Sequence, residues 1–430
     1  MSNSEVKPFN FNDTQSIKTY LMDVVAQQIE RYPPSATEYR NKIADWIGKA
    51  LDGTSHNLSA PARQALIREV LAELIGYGPI QPLLEDPGIN EVMVYGPNQV
   101  YIEREGHLED TPIKFDDEAH VIRVINRMLH PVGRQVSIDN PTADARLPDG
   151  SRVNVVIPPI SIDGPCITVR RFLKDSFTIE QLIRSGSLNE SMANLLEACV
   201  VARLSIVISG NTSSGKTTLM NVLSSHIPDG ERIVVIEDAA ELKLQQKYTV
   251  RLETRPANTE GKGLVTTRDL VRNALRMRPD RLVIGEVRGE ESLDLLQAMN
   301  TGHEGSLTTL HANSPRDALA RIETMALMTG LNLPLSALRQ QIASAIDLIV
   351  HMDRLSDGSR KITLISEVSR MEGEVITLLD LFRFEQTGLD ERGKIMGTMR
   401  ATGMRPSFMR RVELSGHRLR GDTFLVSSRK

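Results

Sequence analysis

Eight consecutive residues carry the most specific chemistry in this chain: Gly210-Asn211-Thr212-Ser213-Ser214-Gly215-Lys216-Thr217. They follow a short apolar run, Ser205 to Ser209, and lead into a helical stretch that opens at Thr218 and runs to Ser225. The pattern is GxxxxGK followed by Ser or Thr, in the strand, loop and helix context it requires. Its glycines let successive backbone N–H groups turn into one concavity, and the start of the helix adds positive dipole at the same place. A chain of phosphates fits such a cup, with Thr218 at its rim. Lys216 is expected to reach the β and γ phosphates, and the Thr217 hydroxyl to join a magnesium shell. Average composition produces this pattern by accident in roughly one chain of this length in a hundred, and the strand-to-helix context makes an accident rarer still.

Water attack on a phosphate chain needs two further groups, one carboxylate near the metal and one that polarises the water. Arg232 to Ile236 reads as a buried strand ending in Glu237-Asp238, with Glu241 just beyond. Arg281 to Ile284 reads as another, ending in Gly285-Glu286-Val287-Arg288-Gly289. A carboxylate directly after a buried parallel strand lies at the C-terminal edge of its sheet, where doubly wound folds bind ligands. Glu237 and Glu286 are the candidates. An isolated acid in such a place more often serves a helix dipole, but two of them behind a phosphate loop make a hydrolytic pair. Thr301 to Asn313 then holds His303 and His311 in a Gly- and Thr-rich segment. Their separation matches no zinc motif, and a strand beside the phosphate loop would let His303 or His311 sense the γ phosphate by hydrogen bonding.

The elements that position these residues fall into successive blocks. A polar arm, 1–15, precedes three helical patterns, Ser16 to Tyr32, Ser35 to Leu51 and Ser59 to Ile75, which make a helical module over 16–75. Ser35 with Glu38 has capping-box spacing, Ser59 precedes Pro61, and Leu66, Val70 and Leu74 share one face. From Gly76 the period changes. Strands at Glu91 to Tyr95, Val100 to Arg104, Ala143 to Leu147, Arg152 to Ile157 and Cys166 to Phe172, with a helix at Asp117 to His130, describe a mixed α/β domain over 76–172. Residues 173–177 form a short link, and Thr178 with Gln181 caps the helix that opens the third domain, 178–385. Residues 386–430 read as a basic tail: Arg400 to Lys430 carries +6, which leaves −10 for the rest. Such a tail either approaches anionic lipid or an acidic partner, or is simply solvated.

Composition bounds the function classes. The 430 residues exceed one ordinary domain; 40% apolar and 25% charged residues describe a soluble globular chain. A net charge of −4 argues against stable binding of nucleic acid. The apolar runs are four or five residues long, against about 20 needed to span a bilayer. The polar start lacks the features of an export signal. Cys166 and Cys199 sit in apolar stretches without metal spacing, as core residues of a reducing cytoplasm.

Taken in order, Gly210 to Thr217, the acidic box Val235 to Leu242, the box Gly285 to Gly289 and the histidine box His303 to Asn313 resemble the secretion ATPase superfamily, the hexameric motors of type II and type IV secretion and of type IV pili. Within it, Gly76-Tyr77-Gly78-Pro79-Ile80, the turn Asp144 to Arg152 and the segment Leu381 to Glu385 with Ala401-Thr402-Gly403 resemble the tight-adherence pilus assembly ATPases. The likeness covers about Leu66 to Arg411. It implies an α/β chain whose third domain is a RecA-like P-loop NTPase. Glu237 then takes the water-activating position and Glu286 the Walker B position near magnesium. His303 and His311 take the two places of the histidine box, and Arg146, Arg152, Arg170 and Arg171 match the stretches that bring arginines to the phosphates. An exposed-hairpin reading of Arg146 and Arg152 stays open. The chain lacks the four-cysteine zinc insertion of many relatives, which favours the tight-adherence and type IV secretion branches.

The resemblance further implies ATP and magnesium as cofactors and a homohexamer. The ring would be cytoplasmic, peripheral to the inner face of the inner membrane, and would drive pilin assembly through a membrane platform protein. A type IV secretion ATPase that exports substrates is the neighbouring reading. A DNA translocase and a non-hydrolysing nucleotide switch are readings from other classes.

Overall fold

The computed structural model describes residues 14–31, 39–54, 58–104, 106–172, 177–257, 261–391 and 393–426. The chain divides into two compact units, Met1–Leu173 and Lys174–Lys430. The arm up to residue 13, the Ser35 and Glu38 capping pair and residues 173–176 of the link lie outside the described residues.

The first unit begins with helices α1 (Thr14–Arg31), α2 (Tyr39–Asp52) and α3 (Ala60–Ile75). Ile17, Leu21, Val25, Ile43, Ile47, Leu66 and Val70 meet in their common core. Ser59 caps α3, accepting from the Ala62 N–H at 3.4 Å, with Pro61 in the first turn. A short helix α4 (Gln81–Glu85) leads to strands β1 (Ile89–Tyr95), β2 (Gln99–Arg104) and β3 (His107–Asp110). Then come α5 (Glu118–Leu129), β4 (Thr142–Arg146), β5 (Arg152–Val156) and β6 (Cys166–Arg170). The strands form one antiparallel sheet in the order β3-β2-β1-β6-β5-β4. Alternation along each strand sends Val92, Val94, Val153, Val155, Ile167 and Val169 against Val121, Val124, Ile125 and Met128 of α5.

The helical module and the sheet, expected as two domains, belong to one unit. A buried polar joint ties them: the ring of His120 on α5 lies 2.9 Å from Glu73 Oε2 on α3, while Lys18 on α1 reaches Glu73 Oε1 at 3.4 Å. Arg127 donates to the Glu73 and Gly76 carbonyls at 2.6 Å each, satisfying the orphan end of α3.

The second unit opens with α6 (Ile179–Arg184), whose capping box of Thr178 and Gln181 is present, and α7 (Glu190–Val201). The chain continues through β7 (Ile206–Gly210), α8 (Lys216–Ser224), β8 (Ile233–Glu237), β9 (Thr249–Glu253), α9 (Thr267–Ala274) and β10 (Arg281–Ile284). It goes on through α10 (Glu291–Asn300), β11 (Leu307–His311), α11 (Pro315–Leu327), α12 (Leu335–Ala345) and β12 (Leu348–Arg354). Strands β13 (Arg360–Glu372), β14 (Val375–Leu389) and β15 (Ile395–Ala401), then α13 (Met409–Leu414), close it. The sheet order is β15-β14-β13-β12-β7-β11-β10-β8-β9. From β12 to β9 all neighbours are parallel, and β12 to β15 pair antiparallel.

Strands β7, β8 and β10 read as unbroken apolar runs because helices cover both faces. Ile206 and Ile208 point to a core shared with α7 and α8, while Val207 points to the core under α9 to α12. The fold is therefore doubly wound, with β7 in mid-sheet.

The described residues between 386 and 426 correct the expectation of a basic tail. β14 runs on to Leu389, β15 pairs with it from Phe382–Ala401 to Leu389–Ile395, and Ala401, Phe408 and Val412 are buried in the core. The Phe424 ring sits 6.1 Å from that of Phe382. Arg411 is internal glue: its guanidinium lies 2.6 Å from Asp347 Oδ1 and donates to the Arg203 carbonyl at 2.8 Å. Apolar residues spaced between the arginines hold the segment down, so its charge decorates a folded surface.

At the sheet edge where β10 starts, Arg281 is fully buried and fork-paired with Glu231, Nε to Oε2 at 2.6 Å and Nη2 to Oε1 at 2.9 Å. Its remaining Nη1 donates to the Val200 and Gly305 carbonyls at 2.6 and 3.3 Å.

Candidate functional site

The loop after β7 has the shape its composition asks for. Gly210 pairs in register with His311 of β11 on one side and Met352 of β12 on the other. A Cβ at 210 would lie 2.1 Å from the Met352 carbonyl oxygen and 2.7 Å from Ser214 Oγ, so only glycine lets the loop leave the sheet here. Asn211 and Thr212 are exposed and Ser213 and Gly215 take left-handed backbone, at φ 59° and 98°. Arg360 of β13 braces the loop by donating from Nε to the Ser213 carbonyl at 2.9 Å. Ser214 Oγ is buried and has no hydrogen-bond partner among the described residues. Helix α8 starts at Lys216, with Thr217 and Thr218 half-buried in its first turn.

Lys216 is buried, and its ammonium donates to the carbonyls of Gly210 and Asn211 at 3.0 and 2.8 Å. It also lies 3.5 Å from His311 Nδ1. The other ring nitrogen, Nε2, is 3.1 Å from Glu286 Oε1. Glu286 Oε2 accepts from Arg288 Nη2 at 2.8 Å, and Arg288 Nη1 lies 3.6 Å from Asp238 Oδ2. The order β7-β11-β10-β8 thus lays Lys216, His311, Glu286 and the Glu237-Asp238 pair along one edge of the sheet. Burial holds the His311 ring below the ordinary histidine range, and the charge of Lys216 pushes the same way. A neutral ring between an ammonium and a carboxylate passes a hydrogen bond from one to the other.

Glu237 ends β8 and is almost wholly buried. Its Oε1 accepts the N–H groups of Glu241 and Leu242 at 2.8 and 3.0 Å, which fixes the carboxylate, while Oε2 is buried without a partner among the described residues. Gly285 makes room for it, since a Cβ there would come within 3.1 Å of Glu237 Cγ. Burial pushes the carboxyl above its ordinary value of 4.5, against the pull of the two N–H groups. A fixed, basic carboxylate with one unpaired oxygen has the properties of a group that takes a proton from a water brought to it.

A raised folded value favours the protonated form in the folded state, so this stabilising contribution is full in acid and is lost as pH rises through the shifted value. Glu237→Gln is therefore expected to unfold at a higher urea midpoint than the unmodified protein at pH 8, the gap closing toward pH 5. Urea titrations at the two pH values check this, and a lower midpoint for the variant at pH 8 would refute it.

The structure separates the two histidines. His303 lies before β11 and His311 ends it, and because β11 runs parallel to β7, His303 belongs to the opposite sheet edge from the phosphate loop. The expectation of a γ-phosphate contact is corrected for His303: a five-residue strand stands between it and the loop of its own unit. The sequence reading also missed His351. It is buried on β12 opposite Ser209, with Nδ1 2.8 Å from Ser209 Oγ, and braces β7 one residue before the loop. No local signal marks it, because its partner is 142 residues away.

On the first unit, Arg146, Arg152 and Arg170 are direct cross-strand partners on β4, β5 and β6, and the row continues with Glu91 and Glu103 on β1 and β2. Direct partners share a face, here the face turned away from α5. Like charges opposite one another repel, so three arginines in line suit a polyanion. Arg170 stays within 3.8 Å of Glu91, and Arg146 lies 5.8 Å from the Phe172 ring centre. Arg171 corrects the expectation: on the opposite pleat, its guanidinium donates to the Asp86 and Ile89 carbonyls, the latter at 2.8 Å. Spent on backbone, it holds the entry to β1.

The residues present fit a magnesium-bound nucleoside triphosphate. The glycine cup, the orphaned Ser214 hydroxyl and buried Lys216 suit the phosphates, and Thr217 with Glu286 suits an ion. Among the described residues no cluster of three or more His, Cys, Asp or Glu forms a cage. Magnesium needs none when phosphates and water complete its octahedron.

A family model described as "Type II/IV secretion system protein" matches residues 73–403. A Mycobacterium tuberculosis protein with a conjugal-transfer name is 38% identical over 317 residues, 72% of this chain and 90% of its own. The type IV secretion system protein PtlH of Bordetella pertussis is 33% identical over 332 residues, 71% of this chain and 96% of its own. Among solved structures, the pilus retraction motor PilT with bound ADP matches at a TM-score of 0.50 and 20% identity, covering 70% of this chain and 82% of its own. That likeness bears on the fold alone, which is the RecA-like one with a preceding α/β domain.

Proposed function

Because the chain belongs to the type II/IV secretion system protein family, we propose that it is a magnesium-dependent ATPase that works as a homohexameric ring. Its task is assembly of a tight-adherence pilus through an inner-membrane platform protein, from a cytoplasmic position at the membrane face. Among the described residues no helix is long and apolar enough to cross a membrane. The observation that carries the reading is the line of groups along one sheet edge: Lys216 in the cup, Glu286 bonded to His311, and Glu237 held with one oxygen unpaired.

Each residue then has a task. The loop N–H groups and Lys216 bind and orient the β and γ phosphates and oppose the charge that develops between them. Thr217 and Glu286 would hold magnesium, which supplies Lewis-acid neutralisation of the phosphate oxygens. Glu237 Oε2 takes the proton from the attacking water, and His311 reads the γ phosphate from between Lys216 and Glu286. Arg146, Arg152 and Arg170 form a row of positive charge on the first unit that suits a polyanion.

The test is magnesium-dependent phosphate release per subunit over a wide range of protein concentration, alongside molar mass. Specific activity that rises steeply as rings form supports the motor. Equal activity per subunit in monomer and ring would sink the ring-completed site, and no turnover at any concentration would sink the ATPase reading for the isolated chain. A type IV secretion role is the second reading, favoured by the conjugal-transfer and secretion names of relatives at 38% and 33% identity. Lys216→Ala in the cell separates them: loss of surface fibres supports pilus assembly, and loss of substrate transfer supports export.

A further inference from the structure

We infer that Arg288 is a positioning residue that competes with magnesium for Glu286 and is handed to Asp238 when the ion arrives. The inference rests on the ATPase reading above. Both oxygens of Glu286 are engaged, Oε1 by the His311 ring at 3.1 Å and Oε2 by Arg288 Nη2 at 2.8 Å. The guanidinium therefore occupies the negative charge that a magnesium ion near the phosphates would use.

Its second branch already lies 3.6 Å from Asp238 Oδ2. Asp238 is a prepared receiver, steadied by the Thr254 and Thr267 hydroxyls at 3.4 and 3.3 Å from Oδ1. The backbone beneath the arginine does not move with it: Glu291 Oε1 accepts the N–H groups of Arg288 and Gly289 at 2.7 and 2.9 Å. What is free to swing is the long side chain, 62% exposed, between two carboxylates just beyond the ends of the neighbouring strands β10 and β8.

The chemistry is a displacement of one cation by another. A divalent ion at Glu286 repels the guanidinium, and Asp238 provides a second carboxylate so that the arginine need not return to bulk water. Before the ion arrives, Arg288 screens Glu286 from incoming phosphates of the same sign. Arg288 thus favours entry of metal-free nucleotide and opposes tight magnesium, two effects of opposite direction from one side chain.

The experiment uses the full chain and a fluorescent ATP analogue, titrated in excess chelator and then against magnesium. Arg288→Ala is expected to weaken metal-free nucleotide binding about three- to tenfold, and to lower the magnesium concentration for half-maximal effect by a similar factor. Arg288→Lys, which keeps the charge without the fork, falls between. Asp238→Asn removes the receiver and is expected to raise the magnesium requirement, the opposite shift. If Arg288→Ala weakens both nucleotide and magnesium, or leaves the magnesium midpoint unchanged, the exchange is overturned. Should that variant fail to fold, an unchanged midpoint in Asp238→Asn overturns it alone. The reading beneath is judged separately: if the unmodified protein shows no magnesium-dependent binding, or Lys216→Ala binds equally well, the ATP site itself is wrong.

Discussion

Lys216→Ala is expected to lower ATP turnover by about two to three orders of magnitude, the usual loss when one preorganised positive donor is removed from a site of charge development. Without a ligand the ammonium is held by the Gly210 and Asn211 carbonyls, at the lip of the cup where phosphate oxygens would compete for it. Because it is buried, its charge acts at low effective dielectric. Alanine also takes away the second of the influences that hold His311 below the ordinary histidine range, burial being the first. The measurement is the turnover rate at saturating ATP and magnesium, with an unfolding curve to show the fold intact. Turnover within fivefold of the unmodified protein would mean that Lys216 serves binding alone.

The second large effect concerns the other end of the same strands. Arg281→Met is expected to destabilise the second unit by about 3 to 5 kcal/mol, the range for breaking a buried ion pair by removing one partner. Glu231 is left mostly shielded from water with, among the described residues, only the more distant Arg203 guanidinium, at 3.9 Å, as a cationic neighbour, and the Val200 and Gly305 carbonyls lose their donor. The double change Arg281→Met with Glu231→Leu is expected to recover most of the loss, because it removes the stranded charge as well. Urea unfolding of the three variants checks this. A loss below about 1 kcal/mol for the single change would show that water reaches Glu231 once the arginine has gone.

The chemistry was legible where local pattern and position in the sheet coincide. Glu237 and Glu286 could be picked because each follows a run of apolar residues, and such runs end at the ligand-binding edge when the strands are parallel. His303 could not be separated from His311 by that logic, since both flank one short strand and only its direction tells them apart. Arg170 and Arg171 are adjacent, yet the pleat sends one to the charged row and the other to backbone carbonyls. His351 and Arg360 act on the loop from about 140 positions away, and no window along the chain contains both sides of such a contact. The segment beyond residue 386 misled for another reason. Its arginines dominate the composition, whereas Ala401, Phe408, Val412 and Phe424, which hold it down, are too widely spaced to make a period.

Gly210 has one further consequence, for the order in which the molecule is made. The strand that carries the phosphate loop is flanked by β11 and β12, whose residues begin at 307 and 348. Emerging from a ribosome at about 5 to 20 residues per second, the chain needs about 7 to 30 s to travel from Ser209 to His351, its partner 142 residues on. During that interval the loop has no Arg360 to brace it. The cup is therefore complete only once β11 and β12 have been made and have paired with β7.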